Sequence, residues 1–375
     1  MGAKYVLQAS QFQFLFDALT ARGYQVIGPK LQDGAIVYDA LSSVQDLPAG
    51  WTDQQEAGTY RLENRSDSAF FGYTVGPYSW KKFLHLPARK LKRGKSAEGE
   101  FHFVSENEEI PKLAFVGVRA CELHAMTIQD KIFMGGIYRD SSYAERRENI
   151  FVIAVNCGKA GGTCFCVSMK TGPKASGGYD WVLTEVIEKD RHYFVVESGT
   201  GAGKEILAGE EILKELDCPL AAEAEIALSE RIVEETACQM GRRLKTEGIK
   251  DLLYKNLEHP HWDEVANRCL TCGNCTMVCP TCFCASIAEI TDLTGEKVER
   301  VQKWDSCFTE DFSYIHGGSI RKTAKSRYRQ WMTHKLAYWI DQFGTSGCVG
   351  CGRCITWCPA GIDITEEAKG FYGDS

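Results

Sequence analysis

Two short apolar runs stand out in the first half of the chain. KLAFVGVRAC (112–121) and NIFVIAVNC (149–157) are continuous, rich in valine and isoleucine, and each ends in a cysteine. Runs of this kind predict strands buried on both faces of a parallel sheet. Between them, ELHAMTIQDKIFMGG has a helical pattern that closes on a double glycine. The three segments therefore predict one βαβ unit, which brings both strand ends to the same sheet edge. HYFVVES predicts a further strand, and MGAKYVLQASQFQFLFDALTARG, which mixes polar residues through its apolar ones, predicts an amphipathic helix. Late in the chain Leu336, Trp339, Ile340 and Phe343 repeat at helical spacing, so WMTHKLAYWIDQFG predicts an amphipathic helix ending at Gly344. Pro260 and Asp263 in LEHPHWDEVANRC begin another. The fold class expected is α+β or α/β: an N-terminal α/β domain over 1–257, then a mostly α-helical, ferredoxin-like dicluster domain over 258–375.

Composition agrees with a packed chain of two domains: 375 residues, 44% hydrophobic and 25% charged. No N-terminal signal pattern is visible, Val6 stands where a myristoylation signal needs serine or threonine, and the longest apolar runs are too short to span a bilayer. A cytoplasmic protein without a membrane span is expected. Seventeen cysteines in such a chain argue for metal or redox use over disulfides, because a reducing compartment keeps thiols free. The formal charge of -7 is mild. Basic runs at 81–95 and 321–329 read as solvated faces or as a docking surface for an acidic partner, not as a nucleic-acid site.

CLTCGNCTMVCP (269–280) and CVGCGRCITWCP (348–359) each carry the C-x2-C-x2-C-x3-C-P spacing of bacterial ferredoxins. Three thiolates so spaced wrap three corners of a [4Fe-4S] cubane, and the fourth cysteine reaches the other cluster. Cys269, Cys272, Cys275 and Cys358 are thereby assigned to one cluster, and Cys348, Cys351, Cys354 and Cys279 to a second. Paired zinc sites would have no use for the reciprocal fourth cysteine and its following proline. In the N-terminal half, Cys121 and Cys157 meet at the sheet edge from which glycine-rich NCGKAGGTCFC departs, so Cys121, Cys157, Cys164 and Cys166 are candidates for a third [4Fe-4S] cluster. Cys282 or Cys284 is the alternative fourth ligand, and ordinary buried thiols are the competing reading. Cys282, Cys284 and Cys307 are read as packing or as a further site, Cys218 and Cys238 as core residues, and His124 and His261 as hydrogen-bonding neighbours of the metal motifs.

SGTGAGKE (198–205) departs from a phosphate-binding loop at Ser198 and Glu205 and reads as a glycine-rich turn. No dinucleotide fingerprint follows a strand, and no acid, base and nucleophile are grouped, so no catalytic residue is assigned.

The segments HPHWDEVANRCLTCGNCTMVCPTCFC, ERVQKWDSCF, SRYRQW and GCVGCGRCITWCPAGI, with GVRACELHA upstream, resemble the beta subunit of cytoplasmic NAD(P)-linked [NiFe] hydrogenases, the sulfhydrogenases. They are also similar to the iron-sulfur subunit of anaerobic sulfite reductases. The resemblance implies a non-catalytic electron-transfer subunit. Its partners would be a flavin subunit that oxidises NAD(P)H and a separate catalytic subunit of [NiFe] hydrogenase or sulfite reductase type. The chain's own C-terminus, CPAGIDITEEAKGFYGDS, lacks the ligand motif of a nickel-iron centre, and both C-x3-C pairs that sirohaem would need are taken by the ferredoxin motifs. A reductase binding its own substrate at an incompletely ligated cluster, using Cys282, Cys284 and Cys307, is the competing class.

Overall fold

The structure, a computed structural model, describes residues 3–97, 100–105, 109–199 and 214–372. Its strands run β1 (Lys4–Gln8), β2 (Gln25–Gln32), β3 (Ala35–Ala40), β4 (Trp51–Glu56), β5 (Thr59–Asn64), β6 (Ala88–Ala97), β7 (Glu100–Ser105), β8 (Leu113–Val118), β9 (Ile150–Val155), β10 (Trp181–Glu188), β11 (Arg191–Ser198), β12 (Ala285–Thr291) and β13 (Lys297–Trp304), with a short pair at Tyr314–Ile315 and Gly318–Ser319.

Seven strands form one sheet in the order β1-β11-β10-β9-β8-β2-β3. The central four are parallel and the outer pairings antiparallel. Every residue of β8 and β9 is buried, as their unbroken apolar runs require. The helix Ala120–Phe133 and then Ser141–Glu148 join them, completing the expected βαβ unit. One face of the sheet is covered by Phe12, Leu15, Phe16 and Leu19 of the helix Phe12–Ala21. The other is covered by Leu123 and Met126 with Trp80 and Tyr143. Each such side chain contributes about 1.5–3 kcal/mol when fully withdrawn from water.

The N-terminal segment expected as one helix opens instead with β1. Val6 and Leu7 are buried opposite Val195 and Phe194 of β11, so edge pairing with a completed sheet outweighs the local helical pattern until Phe12. The C-terminal helices follow the sequence more closely. His261–Arg268 and Ala324–Thr333 pack through Trp262, Val265, Tyr328 and Met332. The second continues through a π-helical segment, His334–Tyr338, into Trp339–Phe343 and stops at Gly344, whose φ of 68° suits glycine.

Between the two cysteine motifs the expected helical insertion also holds the hairpin β12–β13, which extends β6 and β7 into a four-stranded sheet, order β12-β13-β6-β7. Strand pairing thus crosses the expected boundary at 257/258. Neither basic run is simply a solvated face: Lys81 and Arg327 are buried, and Arg327 donates to the carbonyls of Phe308, Arg321 and Lys322. Most of SGTGAGKE lies outside the described residues; the strand before it ends at Ser198, as expected.

His85 sits where the two sheets meet, its ring 4.8 Å from Phe133 and 6.0 Å from Trp304. Burial, with Lys81 beside it, lowers its pKa to about 4 from 6.5. The unfolded chain therefore binds more protons between about pH 6.5 and 4, and the stability present above that window is lost as pH falls through it. We expect a loss on the order of 2 kcal/mol attributable to this residue. Urea unfolding at pH 7 and pH 5 should show it, and His85→Phe should remove that part of the slope.

Candidate metal centre

Both cysteine motifs fold alike. In each, a glycine after the second cysteine takes a left-handed conformation, Gly273 at φ 74° and Gly352 at φ 77°, and a single helical turn follows, Asn274–Met277 and Arg353–Thr356. The glycine reverses the chain, and the turn carries the third cysteine back toward the first two. The two turns are tied where Asn274 Nδ2 donates to the Trp357 carbonyl at 2.6 Å.

The electrostatics show which thiols face one another. Burial pushes Cys275 well above the usual thiol range, and the thiols that add to this are Cys269, Cys358 and Cys272. Burial does the same to Cys354, with Cys348, Cys351 and Cys279 as its neighbours and Cys275 beyond them. The fourth cysteine of each motif thus lies among the first three of the other. Cys348 is pushed up to about 12, again chiefly by burial.

A cavity lined by Cys269, Cys272, Cys275, Cys358, Tyr328 and Trp331 lies inside the first group. Among the described residues the Tyr328 hydroxyl and the Trp331 indole N–H are buried without a hydrogen-bond partner, donors suited to sulfur. Among the described residues no three His, Cys, Asp or Glu side chains could hold a single metal ion. A tetrahedral zinc draws its sulfurs to within about 2.3 Å of one point. A cubane holds its thiolates apart at separate corners, and the residues present fit that wider set.

The π-helical segment places Lys335, 5% exposed, against the second group. Its Nζ donates to Cys279 Sγ and to Thr281 Oγ1, both at 3.1 Å. A hydrogen bond from Cys282, with this ammonium beside it, holds Cys279 well below the usual thiol value despite burial.

The four N-terminal cysteines also come together. Cys121 begins the helix after β8, Cys157 follows β9, and Cys164 and Cys166 lie on the loop leaving that edge. Burial pushes Cys164 up to about 12, with the Cys157 thiol adding to this, and raises Cys166, which faces Cys164 and Cys157. Burial likewise raises Cys121, which faces Cys351 and Cys166. The alternative ligands Cys282 and Cys284 face Cys279 and Cys307 instead.

This loop packs directly on the second ferredoxin motif. Phe165 N–H donates to the Gly350 carbonyl at 2.8 Å, and the Cys164 thiol lies 3.9 Å from the Cys351 carbonyl. A side chain at Gly350 would meet the Phe165 carbonyl at 2.7 Å, and one at Gly352 would run into the hydroxyl of Thr163. Both glycines are therefore needed for close approach as well as for their left-handed turns.

Beneath the second motif lies an ion pair that the sequence did not point to. Arg353 and Glu122 are 0% and 1% exposed and 2.5 Å apart. Glu122 also accepts from the Tyr38 hydroxyl at 2.8 Å, the Trp80 indole at 3.1 Å and the Arg119 backbone N–H at 3.2 Å. Arg353 donates to the Gly76 carbonyl at 2.9 Å. The only signal available was an arginine inside C-G-R-C.

Other expectations resolve differently. His261 pairs with Glu264 and Glu367, not with sulfur. His124 is half-buried in the helix Ala120–Phe133, and among the described residues no hydrogen bond joins it to a cysteine. Cys218 packs against the core, but Cys238, expected inside, is exposed at the end of its helix. The first motif reaches the surface: Cys272 is exposed and Leu270 is 65% exposed. A cleft with Tyr60, Tyr78 and Trp357 opens beside Cys358. No helix among the described residues is long and apolar enough to cross a membrane.

Residues 268–362 match the 4Fe-4S dicluster domain family, which indicates two [4Fe-4S] clusters. Over 318 residues the chain is 30% identical to the sulfhydrogenase 2 subunit beta of Pyrococcus furiosus, covering 83% of this chain and 89% of that protein.

Proposed function

This chain belongs to the family of sulfhydrogenase beta subunits, and we propose that it relays electrons between a flavin subunit oxidising NAD(P)H and a catalytic subunit of [NiFe] hydrogenase type. The observation that carries the proposal is a succession of neighbouring thiols, buried or half-buried, from exposed Cys272 in the first motif to Cys157 at the sheet edge. Cys269, Cys272, Cys275 and Cys358 would hold one [4Fe-4S] cluster, Cys348, Cys351, Cys354 and Cys279 a second, and Cys121, Cys157, Cys164 and Cys166 a third. Such clusters, when bound, take up and release single electrons without making or breaking substrate bonds. The domain reading that goes with this is an α/β part over 1–257 and a dicluster part over 258–375.

The chain's own residues supply position, dryness and charge. The left-handed glycines curl each loop around its site, and Phe308, Tyr328 and Trp331 cover the inner side of the first group. Contact between Phe165 and Gly350 holds the N-terminal cysteines against the second motif. Lys335 places a fixed positive charge on the Cys279 sulfur, which favours the more negative, reduced state there. Lys335→Met is therefore expected to move one midpoint potential to a more negative value and leave the others nearly in place. A redox titration followed by electron paramagnetic resonance reads this directly.

The relay itself is tested with the anaerobically purified, iron-loaded chain. It should accept electrons from a reduced flavoprotein and pass them to a viologen dye, while turning over neither hydrogen nor sulfur alone. Turnover of either substrate by the single chain would overturn the reading.

A further inference from the structure

Cys282, Cys284 and Cys307 take no part in the sets proposed above, yet they line one cleft together with Arg321, His334 and Lys335. They come from two segments. Cys282 and Cys284 lie between Pro280 and β12, and Cys307 follows β13, so the β12–β13 hairpin brings its two ends, and with them the thiols, to one place. Asp305 N–H donates to the Cys284 carbonyl at 2.9 Å, fixing those ends together. Gln129 holds the near side by donating to the carbonyls of Pro280 and Cys282 at 3.1 and 3.3 Å.

Charge gives a second, independent observation. Lys81 and Lys335 are 6% and 5% exposed, and among the described residues neither forms an ion pair with a carboxylate. Lys81 Nζ lies 4.0 Å from the centre of the Trp304 ring and 3.4 Å from the Met277 carbonyl. Two ammoniums buried side by side are costly unless anions face them. Burial lowers the Lys81 pKa, and the thiols that counter this are Cys282, Cys279 and Cys284, of which Cys279 belongs to a set already assigned. One buried cation is thus left for the remaining three sulfurs. Thiolates bound to iron would supply negative charge beside this lysine, where no carboxylate among the described residues does.

We propose that Cys282, Cys284 and Cys307 hold an additional iron-sulfur cluster through three thiolates, with one iron left to a water or a small anion from the cleft. The site is distinct from the three sets of four cysteines, but it rests on the reading of the chain as an iron-sulfur protein.

The test maps alkylation by iodoacetamide on the anaerobically purified, iron-loaded full chain before and after iron is removed by a chelator. Exposed Cys238 serves as the internal control and labels in both. Cys282, Cys284 and Cys307 are expected to be protected before chelation and labelled after it. A Cys284→Ser, Cys307→Ser variant is expected to lose about four irons per chain while the resonance signals of the dicluster motifs persist. Labelling of these three cysteines in the iron-loaded chain, or an iron content unchanged by the double substitution, overturns the proposal. Failure of the relay reading shows separately, as absence of iron from the eight ferredoxin-type cysteines.

Discussion

Replacing Cys164 and Cys166 together by serine is expected to remove about four irons and about four labile sulfides per chain. The dicluster signals should remain. Phe165 between them anchors the segment in the core of the C-terminal helices, serine takes about the space of cysteine at buried Cys166, and the backbone bond from Phe165 to Gly350 does not involve either cysteine side chain. A loss confined to one cluster is therefore expected, not unfolding. If the iron content is the same in the variant and the parent, Cys121, Cys157, Cys164 and Cys166 are a set of buried thiols and the relay ends at the second motif. Electron transfer into the N-terminal part would then need another route.

The largest effect on stability is expected at the Arg353–Glu122 pair. Arg353→Met leaves the Glu122 carboxylate buried with neutral donors from Tyr38, Trp80 and Arg119, and Glu122→Leu strips four donors of their acceptor at once. Breaking one side of such a pair costs about 3–5 kcal/mol, because the remaining charge stays out of water. Urea unfolding under anaerobic conditions should show a shift of that size for each single variant. The double variant Glu122→Leu, Arg353→Met should be less damaged than the two single losses combined. Additive losses would mean that the two side chains act separately. Because Arg353 lies between Gly352 and Cys354, the Arg353 variant should also bind iron less firmly at the second motif, whereas Glu122→Leu acts on it only through Arg353.

Much of this arrangement was legible in the chain, for identifiable reasons. The βαβ unit at 112–157 could be read because both strands are buried on both faces and so appear as unbroken apolar runs. The helix around Trp339 could be read because its apolar stripe keeps helical spacing up to Gly344, even through the π-helical segment that turns Lys335 onto Cys279. That segment itself was not legible: nothing in HKLAY distinguishes a widened turn from an ordinary one. β1 was missed because Lys4–Gln8 is a strand only by virtue of β11, a partner nearly two hundred residues away. The hairpin β12–β13 was missed for a similar reason. Its residues are mostly exposed, so no apolar run announces it, and its pairing with β6 is set by tertiary contact. The buried ion pair was invisible because a charged residue in a motif reads as surface until its partner is known. The grouping of Cys282, Cys284 and Cys307 required that hairpin to be in place.

The most direct test is a spin count by electron paramagnetic resonance on the anaerobically purified parent chain, reduced with dithionite and compared with its iron content. The relay account expects a brown protein whose reduced spectrum integrates to about two spins or more per chain, broadened by coupling between neighbouring clusters. A colourless protein, or one with a single narrow, uncoupled signal, would contradict it.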